Sequence, residues 1–109
     1  MIDQTENEGT TASFTCQATG EPVPVISWFF SGVSISNDEL NTNKYDITQS
    51  PLNITTISNV LTIMNLESSD VGTYTCIATN VVSSDSSSGI LTVNGEAYIL
   101  IMLYVSYFW

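Results

Sequence analysis

Cys16 and Cys76 each sit inside a stretch of strict alternation, 60 positions apart. In "TTASFTCQA", Ala12, Phe14, Cys16 and Ala18 fall on one side, and Thr11, Ser13, Thr15 and Gln17 on the other. In "TYTCIATN", Tyr74, Cys76 and Ala78 share a side. A period of two is the signature of a half-buried strand, so both thiols are expected to point inward. They are the only two cysteines and there is no histidine, too few ligands for a zinc site. A distant pair in a small β-rich chain reads as one disulfide, which implies an oxidising compartment. Closing a loop of that size stabilises by roughly 4 kcal/mol in the chain-entropy model. The 109 residues fit one domain with a modest core, the size at which such a staple matters.

The remaining pattern is also that of strands. "VISWFF" places Ile26, Trp28 and Phe30 on one face. Ser31-Gly32 marks a turn into a short edge strand, and "KYDIT" is another short strand that Pro51 ends. "NVLTIMNL" turns Leu61 and Ile63 inward with Leu66 capping that face, and "ILTV" does the same with Leu91 and Val93. "VVSSDSSSG" reads as a solvated hairpin loop. Seven or eight short strands, each with one polar face, predict two antiparallel sheets packed on each other. If the two cysteine strands lie in opposite sheets, the disulfide crosses the core and Trp28 packs beside it. Tyr74, two residues before Cys76, then turns its hydroxyl back onto the preceding "ESSDVG" turn, the geometry of a tyrosine corner.

Charge and residue types exclude several functions. Eleven acids against one base, Lys44, give a net charge of -10. Such a surface repels nucleic acid and heparin-like polyanions, and disfavours self-pairing. Without histidine or arginine the usual bases and oxyanion clamps are missing, so no enzyme and no cofactor is expected. No acidic calcium loop occurs, and the Asp38-Glu39 pair reads as a solvated loop. Asn53-Ile54-Thr55 forms a glycosylation sequon between two strands.

In order along the chain stand Cys16, "GEPVPVISW" (Gly20, Pro22, Pro24, Trp28), "LTIMNL" and "DVGTYTC" (Asp70, Gly72, Tyr74, Cys76), then "CIATN" and "GILTV". Over residues 4 to 94 this chain resembles the immunoglobulin superfamily, and more closely its I-set type. The resemblance implies an all-β, immunoglobulin-like Greek-key sandwich with one inter-sheet disulfide. It also implies that Lys44, at the start of a strand, pairs with Asp70 of the turn. Two departures stand out. Val82-Ser83-Ser84 occupies the hairpin where the family often has glycine, so that loop is expected to be longer or looser. The first strand looks truncated, which leaves one sheet edge less covered.

The function implied is non-catalytic, extracellular protein-protein recognition or cell adhesion at the cell surface. Its partners would be a protein ligand or neighbouring immunoglobulin domains. Val33, Ile35 and the loops at Pro22-Pro24 and Ser83-Ser88 are candidate contacts. Two other readings use the same module: an ectodomain unit of a receptor tyrosine kinase, and an intracellular spacer of a muscle-type filament. The polar start "MIDQTENEG" has no apolar leader core. Residues 1-94 are expected to form the domain and 95-109 an apolar tail. Within it "AYILIMLYVSYFW" (97-109) reads either as a truncated transmembrane segment that anchors the protein or as a translation artefact.

Overall fold

The structure is a computed structural model, and it describes residues 1-35 and 43-95. The Asp38-Glu39 pair and the apolar run 97-109 lie outside the described residues. Among the described residues eight strands follow one another: β1 (Gln4–Asn7), β2 (Ala12–Thr19), β3 (Val25–Phe30), β4 (Val33–Ser34), β5 (Tyr45–Pro51), β6 (Thr56–Ile63), β7 (Gly72–Thr79) and β8 (Ser84–Asn94). One 3-10 turn, Ser68–Asp70, precedes β7. They form a five-stranded sheet, β1-β8-β7-β3-β4, and a three-stranded sheet, β2-β6-β5. Every pair is antiparallel except β1 with β8, which runs parallel from Gln4 opposite Leu91 to Asn7 opposite Asn94. This is the immunoglobulin-like sandwich that the alternation and the resemblance predict. Among the described residues no helix is long and apolar enough to cross a membrane.

Alternation makes the core. β2 buries Ala12, Phe14 and Cys16 and exposes the residues between them. β6 buries Ile57, Asn59, Leu61 and Ile63 in the same rhythm. Trp28, Leu66, Tyr74, Cys76 and Leu91 complete the interior. A buried aliphatic or aromatic side chain of this kind stabilises by about 1.5–3 kcal/mol. Pro51 does end β5, and β5 is a sheet edge, where a missing N–H breaks no ladder.

Three expectations need correction. The serine run is not a loop: β8 begins at Ser84 and pairs with β7 from Thr79 opposite Ser84 onward. Serine occupies both faces there, so the period of two left no hydrophobic trace. The hairpin before it is not loose either. The Asn80 N–H donates to the Ser83 carbonyl at 3.0 Å, and the Asn80 Oδ1 accepts from the N–H groups of Val82 (2.9 Å) and Ser83 (3.0 Å). No residue of that turn has positive φ, so glycine is not required. Last, Ile35 is not an exposed edge residue. Its N–H donates to the Trp28 carbonyl at 3.0 Å and its side chain joins the core, while Val33 stays exposed. Ala18 and Ala78 do face inward, beside the disulfide, though they are only half-buried because the sandwich is open at their end.

Candidate functional site: a stapled frame and the loop end it carries

Cys16 of β2 and Cys76 of β7 are joined by a disulfide with their Cα atoms 6.5 Å apart, so the bond links the two sheets. Register places Trp28 opposite Cys76 and Asn59 opposite Cys16. The Trp28 Nε1–H donates to Asn59 Oδ1 at 2.7 Å, and Asn59 Nδ2 donates to Gln49 Oε1 at 3.1 Å. Asn59 is only 3 % exposed, and sequence reasoning passed over it. Its signal was a polar residue in the inward row of Ile57, Leu61 and Ile63, facing an indole whose N–H needs a partner once buried.

One end of the sandwich is closed by a network around Asp70. The Tyr74 hydroxyl donates to the Asp70 carbonyl at 2.9 Å. The Asp70 carboxylate accepts from the Glu67 N–H at 2.8 Å and pairs with the Lys44 ammonium. Lys44 Nζ also donates to the Asn65 carbonyl at 3.0 Å. The turn needs an acid because one carboxylate caps its backbone and holds the lysine, while the backbone carbonyl of the same residue receives the tyrosine. The Tyr74 ring stacks between Phe14 and Phe30, with centroids 5.3 and 4.6 Å away. Burial, followed by the nearby Tyr45 and Asp70, pushes the Tyr74 phenol well above its ordinary value. Gly72, at φ 154°, passes so close to Phe30 that a Cβ would lie 2.8 Å from its ring.

The opposite end is built from three loops, residues 20-24, 52-55 and 80-83. They are tied to one another. The Gly20 N–H donates to the Thr55 carbonyl at 2.9 Å, and Asn80 Nδ2 donates to the Pro22 carbonyl at 2.8 Å. The tips are apolar and open: Val23, Leu52 and Val82 are exposed, Ile54 is 92 % exposed and Val81 is 90 % exposed, and Val25 at the start of β3 is exposed beside them. Asn53 stands among them, exposed, with its Oδ1 accepting from the N–H and hydroxyl of Thr55 at 2.9 and 3.0 Å. The structure thus separates the residues singled out in the sequence. Cys16, Cys76 and Trp28 lie mid-core, Lys44, Asp70 and Tyr74 at one end, and Asn53 at the other.

Comparison with known proteins agrees with this geometry. The family model of the Immunoglobulin I-set domain matches residues 1–93. Neural cell adhesion molecule 1 of Gallus gallus is 32% identical over 81 residues, 74% of this chain and 7% of that protein. Roundabout homolog 2 of Homo sapiens is 36% identical over 83 residues, 76% of this chain and 5% of that protein. The chain therefore spans less than a tenth of the length of either relative. Among solved structures, titin domain M7 superposes with a TM-score of 0.73 at 33% identity, covering 87% of this chain and 88% of that one.

Proposed function

The chain belongs to the immunoglobulin I-set family, and from that premise we propose that it is a non-catalytic, extracellular recognition or adhesion module of a cell-surface protein. The observation that carries this is the loop end: three loops hydrogen-bonded to one another on a stapled frame, with their apolar tips turned outward. Scattered exposed valines are ordinary; five apolar residues on adjoining loops, with Val25 beside them at the start of β3, are a contact surface. The mechanism is presentation. The frame holds the tips fixed, so little ordering entropy opposes docking. Catalytic groups are committed elsewhere, with both cysteines in the disulfide and the single lysine in the ion pair. Residues 1-94 act as the domain, and the apolar run 97-109 supplies membrane attachment.

The likeness to neural cell adhesion molecule 1 favours a protein partner, whether a ligand or a further immunoglobulin domain. The likeness to titin M7 keeps the spacer reading in view. A glycan on Asn53 belongs to the first reading, since it requires the secretory route.

The test is a tetramerised domain applied to cells displaying surface proteins. Saturable binding is expected, and the triple variant Val23→Ser, Val81→Ser, Val82→Ser should lose it with its melting temperature unchanged. The change Val33→Ser, on the β4 edge, should bind as the parent does. Equal binding by the triple variant would remove the loop end from the function. Two reactive thiols in the native protein, denatured without reductant, would move it to a reducing compartment and favour the spacer.

A further inference from the structure

The loop end has two halves, one on each sheet. The β5-β6 hairpin, with Leu52 and Ile54, tops the three-stranded sheet, where β5 is the outer strand. The β7-β8 hairpin, with Val81 and Val82, tops the five-stranded sheet. Facing sheets lie about 10 Å apart. The 20-24 loop crosses the gap and is bonded to both hairpins, through the Gly20 N–H to the Thr55 carbonyl and from Asn80 Nδ2 to the Pro22 carbonyl. Val23 follows Pro22 and leads into β3 of the five-stranded sheet, so it belongs with Val81 and Val82.

The Leu52-Ile54 half also carries an acceptor for a bulky group. Asn53-Ile54-Thr55 is the one Asn-x-Ser/Thr sequence in the chain. Asn53 is exposed, and its Oδ1 accepts from the N–H and hydroxyl of Thr55. A planar amide held that way turns Nδ2 away from Thr55. Among the described residues Nδ2 has no partner. Glycan transfer joins Nδ2 to the anomeric carbon of a lipid-pyrophosphate-linked oligosaccharide. The lipid pyrophosphate leaves and the amide gives up one proton.

We infer that Asn53 bears an N-linked glycan whose first sugars lie over Leu52 and Ile54 and leave Val23, Val81 and Val82 open. Leu52 and Ile54 flank the acceptor on either side, so they are the apolar surface nearest to the first sugar. N-acetylglucosamine offers them a ring face of C–H groups and a methyl. Ile54, 92 % exposed, is the side chain with most to gain from that cover. The valine half lies across the 20-24 loop and on the other sheet. The inference rests on the extracellular reading, since the oligosaccharide donor is met on the secretory route. It sharpens that reading by confining protein docking to the valine half.

The test is oxidative footprinting of the full chain made through the secretory route of cultured animal cells. Mass spectrometry should find the glycan on Asn53. Hydroxyl radicals should label Leu52 and Ile54 about threefold more slowly in the glycoprotein than after enzymatic removal of the glycan, with Val23, Val81 and Val82 unchanged. Thr55→Ala, which keeps the Asn53 amide but not the acceptor sequence, should label like the stripped protein. An unoccupied Asn53, or labelling of Leu52 and Ile54 that the glycan does not slow, would overturn the inference. So would equal slowing at Val81 and Val82, which would mean a glycan spread over the whole end. In the cell-binding assay, tetramers with and without the glycan should agree within about twofold, because separate sites act independently. Binding that rises tenfold on stripping would overturn the division of the surface. Absence of cell binding in both forms, with Leu52 and Ile54 still slowed, would strike the recognition reading and support the glycan's place.

Discussion

The two ends of this sandwich solve opposite problems with the same kind of bond. At the Asp70 end, hydrogen bonds are turned inward. Asp70 has its side chain only 6% exposed, the Tyr74 hydroxyl is buried, and each polar group has its partner. At the loop end, hydrogen bonds run between loops at the surface, and what they hold out is apolar. One end hides polar groups and the other displays apolar ones. The difference teaches where stability and contact reside: a buried network is costly to break, whereas an exposed valine is cheap to change.

The comparison can be strained by substitution. The largest effect belongs to the staple, which lies between the ends and serves both. Cys16→Ala with Cys76→Ala should cost about 4 kcal/mol in urea unfolding. A loss under 1 kcal/mol would mean that packing alone holds the sheets together. Next comes Lys44→Met, which leaves the Asp70 carboxylate without its cation. The lysine side chain is 24% exposed, so the cost falls between that of a surface pair and a buried one, about 2 kcal/mol. Unchanged stability would show that the pair is a surface ornament.

Tyr74→Phe follows at about 1.5 kcal/mol, because the Asp70 carbonyl loses its donor inside the protein. The same residue sets an alkaline limit. The folded phenol is held above its unfolded value of 10.0, so the native state keeps a proton that the unfolded state releases. Its contribution is complete below pH 10 and is lost as pH rises above it, by up to about 1.4 kcal/mol per pH unit. Tyr74→Phe should flatten that fall. An equally steep fall in the variant would assign it to another group. Smallest is Val81→Ser with Val82→Ser, expected to move stability by less than about 0.5 kcal/mol. A larger loss would mean that the tips belong to the core and the two ends are alike.

The Asp70 end was legible in the sequence because its residues are chemically unusual for their places. A tyrosine two before a cysteine, an acid in a turn and a single lysine leave few arrangements. The inward rows of β2 and β6 were legible because alanine, phenylalanine, leucine and isoleucine alternate with polar residues. The first half of β8 was hidden, since serine suits both faces of a strand and Gly89 is buried for close approach to Phe14 rather than for a turn; its second half, "ILTV", was legible from Leu91 and Val93. β1 was hidden for a similar reason: "QTEN" has no apolar face, and its parallel pairing with β8 depends on contacts far away in sequence. The tight hairpin was misread because Asn80 does with its side chain what a glycine does with its backbone. Ile35 was misread because the residue that follows a short edge strand can turn under the sheet.

Native-state hydrogen exchange on the unmodified protein compares the two ends most directly. The Glu67 amide, bonded to the buried Asp70 carboxylate, should exchange only through global unfolding, with a free energy matching that from denaturant. The Val82 amide, bonded to the side chain of Asn80 at the surface, should exchange through local opening, orders of magnitude faster. Equal protection of the two amides, or a faster Glu67, would contradict the division of this domain into a closed end and a displayed one.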